Sequence, residues 1–215
     1  ISDEMNTKLS LVDYVDRKLV KQPIMTHYYN SKVVPAEAFN EAQLDVFYKV
    51  LDNAFEGAEA LMETVNSFWN YDTDVHTWTL PDGHVARVPV VEMADTRIEV
   101  DELEHRTFTY RYAKQQPSTN FKSLVANIIH SVDGYIAREM VRRSTFDLVH
   151  IHDCFVFSPE YMQDVSQLYR LIMVEIADSN LLSDILSEIR GEYIEVNKLT
   201  NTLSAEIAKS EYMLS

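Results

Sequence analysis

RKLVKQPIMTHYYN, residues 17–30, sets the reading of the chain. It places Arg17, Lys21, Met25 and Tyr29 at a constant spacing of four. On a helix each such step turns only about 40° around the axis. The four side chains then form one slowly winding stripe: a guanidinium, an ammonium, a thioether and an aromatic hydroxyl. A triphosphate and its sugar are a natural match for such a row. A solvated helix face is the ordinary alternative for the charged residues. Pro23 sits within this pattern. It lacks an N–H and crowds the preceding turn, so it is expected to end or kink the helix and split the stripe.

Around this stretch, residues 5–29 carry apolar positions at helical spacing: Leu9, Leu11, Val12, Val15, Leu19 and Val20. Residues 35–70 continue with one long helix or two, through Phe47, Val50, Leu51, Phe55, Ala58, Leu61 and Met62. VHTWTLPDGHVARVPVVE, 75–92, alternates instead and carries PDG at its centre, a hairpin signal. TRIEV and TFTYRY form a second β candidate, with the acidic DELEHR as an exposed tip. PSTNF opens a helix to about Arg143, capped by Ser118 or Thr119. FDLVHIHDCFVFS, 146–158, reads as a strand pair around His152-Asp153, flanked by Val149, Ile151, Phe155, Val156 and Phe157 and therefore expected in the core. Helices follow from Pro159 to about Ala177 and from Leu181 to Ile189, and residues 190–210 are polar and partly helical. Helices and antiparallel hairpins in this order make an α+β fold.

The bulk numbers bound the function. The 215 residues suffice for one domain or two small ones. The 34 acidic residues outnumber the 19 Lys and Arg, giving a formal net charge of −15. Nucleic-acid binding across the whole surface is disfavoured, although a locally basic site or a basic partner remains compatible. No stretch is apolar enough to span a membrane, and none resembles a signal peptide. One cysteine, Cys154, excludes an internal disulfide framework and suits a reducing compartment. A chain that opens at Ile1 is read as processed, trimmed or part of something longer.

Two further stretches carry chemistry. Asp153 sits where a strand turns back. Aspartate is common in turns, but a carboxylate in an apolar hairpin also invites a metal. His130, Ser131, Asp133 and Gly134 interrupt an apolar helix pattern. A lone helical histidine is usually structural, and a helical glycine, about 1 kcal/mol worse than Ala, points to close packing.

Together these stretches resemble the bacteriophage-type single-subunit DNA-dependent RNA polymerases, the family that includes the mitochondrial enzymes. The family's second polymerase motif stands here as Arg17, Lys21, Met25-Thr26 and Tyr29. Its third stands as His152-Asp153-Cys154-Phe155, and its preceding helix as His130, Ser131, Asp133 and Gly134. WTLPDGHVARV is similar to the family's Trp-x-Thr-Pro-Asp-Gly hairpin, and SEYMLS to its C-terminal tail, which suggests Ser215 as the natural end. RKLVKQ and HDC are most like the mitochondrial branch.

The resemblance implies palm and fingers portions of a right-hand polymerase. Residues 1–75 would be fingers-like, 76–117 β-hairpins with the promoter-reading one at 97–112, and 118–215 palm. Arg17 and Lys21 would hold the nucleotide phosphates, with Lys21 also protonating pyrophosphate; Met25 would lie beside them; Tyr29 with His130 would sense the 2′-hydroxyl. Asp153 would hold Mg²⁺ in two-metal phosphoryl transfer. Arg97, Arg106, Tyr110 and Arg111 would touch nucleic acid.

The chain departs from the pattern in three places. The first motif's metal-binding aspartate has no counterpart: only sixteen residues precede Arg17, and Asp3 and Asp13 lack its surroundings. Activity would therefore need a second polymerase chain or a missing N-terminal half. That fits a split viral enzyme in the host cytoplasm, with DNA template, RNA product, ribonucleoside triphosphates and an accessory initiation factor as partners. Asn30 stands where the family has Gly, and Pro23 has no counterpart. Half of a family-A-type DNA polymerase shares the Arg-x3-Lys and His-Asp features. A non-catalytic acidic interaction module is the third reading.

Overall fold

Asp16 starts the decisive helix. Its carboxylate accepts the Leu19 backbone N–H at 2.7 Å, and α2 then runs from Arg17 to Tyr28. The computed structural model describes residues 1–8, 15–117, 123–152 and 154–211. The expected cap at Ser118 or Thr119 and the apolar positions Leu9, Leu11 and Val12 lie outside the described residues.

Pro23 does not end α2, contrary to the local expectation. The helix continues through it. Its ring is buried with Val20 and His27, so the face that contains proline is the face that packs. Tertiary packing here outweighs the lost hydrogen bond. The Thr26 hydroxyl donates back to the Gln22 and Pro23 carbonyls at 3.0 and 3.2 Å, tying the turn beyond the proline.

Before α2 lies α1 (Ser2–Lys8); after it come α3 (Val33–Ala38), α4 (Glu41–Ala54) and α5 (Glu56–Ser67). Asn40 and Gln43 close a reciprocal capping box at the head of α4, which separates it from α3. Met5, Val15, Val20, Phe39, Phe47, Val50 and Leu51 form one core cluster among α1–α4. Full burial of a side chain such as Phe47 contributes about 1.5–3 kcal/mol.

Three antiparallel hairpins follow: β1 (Val75–Thr79) with β2 (Val85–Pro89), β3 (Val91–Val100) with β4 (Arg106–Pro117), and β5 (Leu148–Ile151) with β6 (Cys154–Phe157). The fold is thus α+β, helices with small antiparallel sheets. In the first hairpin the PDG turn needs its glycine, because Gly83 has φ +82°. Trp78, Leu80, Val88 and Val90 of this hairpin enter the second core cluster.

Helix α6 (Ser123–Arg143) organises the remainder with α7 (Met162–Asp178), α8 (Leu181–Arg190) and α9 (Leu203–Lys209). One face carries Leu124, Ile128 and Tyr135 into the second cluster. An adjoining face carries Ile136 and Met140 into a third, with Val165 and Ile172 of α7. Glu139, fully buried, accepts from Arg142 and Arg143, and Arg143 reaches Glu175 of α7.

The third hairpin is not the core element its apolar run suggests. Leu148, Phe155 and Phe157 pack on the third cluster. Val149, Ile151 and Val156 face outward and are 60%, 62% and 54% exposed. Alternation reveals two faces but not whether anything covers the outer one.

Candidate functional site

The stripe on α2 forms as the spacing demands. Arg17, Lys21 and Met25 are exposed, opposite the buried Val20, Pro23 and His27. Lys21 lies about 12 Å along the axis from Tyr29, at 1.5 Å per residue. Tyr29 is the residue that ends α2. Asn30 follows with φ +64°, a left-handed position that explains why a flexible residue belongs there. Asn30 is buried, and its amide donates to Asn66 Oδ1 of α5 at 2.7 Å. The turn that leaves α2 is thereby pinned, and with it Tyr29.

Helix α6 carries a second stripe at the same spacing: His130, Gly134 and Arg138. It lies apart from the two apolar faces of that helix. The rings of Tyr29 and His130 stand 4.8 Å apart at 41°. The two stripes meet at this pair, 101 positions apart in sequence. A cleft of about 820 Å³ opens around it, lined by Tyr29, His130, Asp133, Gly134, Arg138, His150, His152, Phe155 and Tyr169, with Ile136 and Ala137 at its floor.

Each lining residue has a local cause. His150 pairs with Phe155 across β5–β6, so both project on the face turned to α6 and α7. His152 leaves β5 with φ +56°. Asp153, the expected metal ligand, lies outside the described residues. Its sequence neighbour His152 lines the cleft. Four cationic or titratable nitrogen groups therefore gather here, His130, His150, His152 and Arg138, in a chain of net charge −15.

The first hairpin braces α6 at two points. Trp78 Nε1 donates to Ser131 Oγ at 3.0 Å. Asp82 of the PDG turn accepts from Arg138 Nε at 2.5 Å and Nη2 at 3.3 Å. The guanidinium hydrogen bond holds the Asp82 carboxyl below the usual carboxylate range.

The expected nucleic-acid residues lie elsewhere, on the β3–β4 ribbon. Arg111 pairs with Asp95 at 2.7 and 3.1 Å, and Arg97 opposes Thr109 on the same face. Arg106 and Tyr110 belong to the other face, where Tyr110 and Tyr112 stack at 6.2 Å. The four are thus divided between two faces rather than gathered on one.

The ribbon tip also holds Glu99, Asp101 and His105, whose ligand atoms all lie within 4.8 Å of one another. They can hold a metal ion and are the described residues' group of that kind. His105 Nδ1 stands 2.9 Å from Glu99 and 3.3 Å from Asp101, so the histidine already engages both carboxylates within the chain.

Sequence reasoning did not single out Arg138, His150 or Tyr169 as cleft residues, nor Asp82 as the partner of Arg138. The four-residue repeat His130–Gly134–Arg138 was the available signal, identical in spacing to the α2 stripe. No helix among the described residues is long and apolar enough to cross a membrane. The sequence matches no protein-family model and no curated protein.

Proposed function

We propose that this chain is part of a DNA-dependent RNA polymerase of the single-subunit type, supplying portions of its fingers and palm. The observation that carries the reading is the Tyr29–His130 ring pair at the meeting of the two stripes. A tyrosine and a histidine whose ring centroids stand 4.8 Å apart bring a hydroxyl and an imidazole to one place, which suits recognition of a sugar hydroxyl. The exposed Arg17 and Lys21 continue from Tyr29 along α2, in the direction a triphosphate would extend.

The roles follow from the chemistry of each group. Arg17 offers a planar fork for phosphate oxygens, and Lys21 a point charge and a transferable proton for departing pyrophosphate. Met25 lies between them and Tyr29 as an apolar rest for the nucleotide. Asp153, the sequence neighbour of His152, would hold Mg²⁺, which would supply positive charge to stabilise the oxygens of the attacking and leaving groups. The cleft's described carboxylate is Asp133. Two-metal transfer in the family this chain resembles uses a second aspartate, from a first motif that has no counterpart in this sequence. The remaining carboxylate comes from outside these 215 residues, on a second polymerase chain or another segment. That partner also supplies the basic channel for DNA template and RNA product that an acidic body lacks. The β3–β4 ribbon is an accessory nucleic-acid contact through one of its faces, Arg97 and Arg111 on one side or Arg106 and Tyr110 on the other.

The test is templated incorporation. The chain is purified from its native setting with whatever associates with it and given primed template and Mg²⁺. Ribonucleotide extension is expected. Exclusive use of deoxyribonucleotides would move the assignment to a DNA polymerase, and no incorporation by a stable complex would favour the interaction-module reading.

A further inference from the structure

We propose that Arg138 is a phosphodiester-binding residue of this cleft, contacting the backbone of the strand that ends at the reacting nucleotide, and that Asp82 is its positioning residue. The inference rests on the polymerase reading for the identity of the strand, but its chemistry stands on the geometry. Asp82 engages Nε and Nη2 side-on, at 2.5 and 3.3 Å. That leaves Nη1 as the remaining corner of the fork. Among the described residues nothing accepts from it. Nη1 lies 3.2 Å from where a Cβ on Gly134 would be, and Gly134 and Arg138 both line the cleft. The glycine therefore leaves space for the guanidinium to lie across the helix surface beside the cleft.

Two features make this more than a surface ion pair. The Asp82 side chain is 11% exposed within an exposed turn, so its carboxylate is sheltered while Arg138, 36% exposed, stays open to solvent. The turn that carries it is fixed by Gly83 and by the nearby Trp78–Ser131 bond, so Asp82 has little freedom to follow a moving arginine. An arginine fixed by a carboxylate on one edge presents its other edge at a set angle, which suits a phosphate oxygen. Arg138 is eight residues beyond His130 on α6, about 12 Å along the axis. A nucleotide whose sugar meets Tyr29 and His130 does not reach that far with its sugar. On the polymerase reading, we assign this region to the strand being extended.

The test uses the chain purified in complex with its native partner and a fluorescent primed template, with affinity read by anisotropy across a salt series. Arg138→Gln is expected to weaken binding about tenfold at low salt and to reduce the salt slope by about one phosphate. Arg138→Lys is expected to restore the slope without the full affinity. Asp82→Asn breaks the same ion pair but keeps the cation, so it is expected to retain the slope; a purely structural loss would appear equally in Asp82→Asn. A single neutral methylphosphonate is then walked along each strand. One position on the primer strand is expected to weaken wild type and leave Arg138→Gln unaffected. The same pattern on the template strand would assign the contact there and overturn the strand assignment. Equal salt slopes for wild type and Arg138→Gln, or no binding of primed template at all, would overturn the proposal. The two readings separate: the binding pattern without ribonucleotide incorporation removes the polymerase and keeps the subsite, and incorporation with an unaltered Arg138→Gln does the reverse.

Discussion

Tyr29, at the end of α2, and His130, on α6, hold their rings 4.8 Å apart across 101 residues of sequence. Two helices are thereby joined at a polar-aromatic contact that faces a cleft rather than the core. If this pair reads a sugar hydroxyl, Tyr29→Phe keeps the ring contact and removes one donor and acceptor. Preference for ribonucleotides over deoxyribonucleotides is expected to fall about three- to tenfold, the worth of one neutral hydrogen bond. The ratio of kcat/KM for the two substrates measures it. An unchanged ratio would remove Tyr29 from sugar recognition.

Asn30 supports that geometry from below. Asn30→Ala places an ordinary side chain at φ +64° and removes the donor to Asn66. A loss of about 1–2 kcal/mol is expected in urea unfolding. Asn30→Gly relieves the backbone and loses only the side-chain bond, so it should fall between Ala and wild type. A Gly variant less stable than Ala would contradict the role given to the left-handed turn.

Much of this was legible. The spacing of Arg17, Lys21, Met25 and Tyr29 gives one exposed stripe on any regular helix, and PDG gives a hairpin. Pro23 does not end the helix as the local rule allowed, because that rule weighs one lost hydrogen bond and not the burial of the ring. The outer face of β5–β6 was misread because Val149, Ile151 and Val156 look the same in a sequence whether or not something covers them. Arg138 was missed because its meaning depends on Asp82, 56 residues earlier, and on Gly134 beside it.

His76 makes the fold acid-sensitive above the carboxylate range. It is buried, and burial lowers its pKa from the ordinary 6.5. Its Nε2 accepts the Asn70 N–H at 3.2 Å, which requires that nitrogen unprotonated. With the folded pKa depressed, the unfolded chain takes up the proton first. Stability is therefore fully present above pH 6.5 and declines as pH falls from there through the lower folded value. A plot of Tm against pH should lose slope in this window in His76→Phe. An unchanged slope would contradict the assignment.

Glu139 anchors the end of α6. Its buried carboxylate bonds Arg142 and Arg143, and those bonds keep its pKa below the ordinary value. Glu139→Ala is expected to cost about 2–3 kcal/mol, since Arg143 is left beside an apolar wall with Glu175 alone. Denaturant titration of the variant measures it, and a loss below about 0.5 kcal/mol would show the network to be a solvated surface feature.

Asp153→Ala, made in the isolated complex of this chain with its native partner, decides the polymerase assignment. Primed template, ribonucleotides and Mg²⁺ are supplied, and extension is followed alongside the amount of complex recovered. The variant is expected to assemble still and to lose the ribonucleotide incorporation present in wild type. Incorporation at the wild-type rate by Asp153→Ala would contradict that assignment.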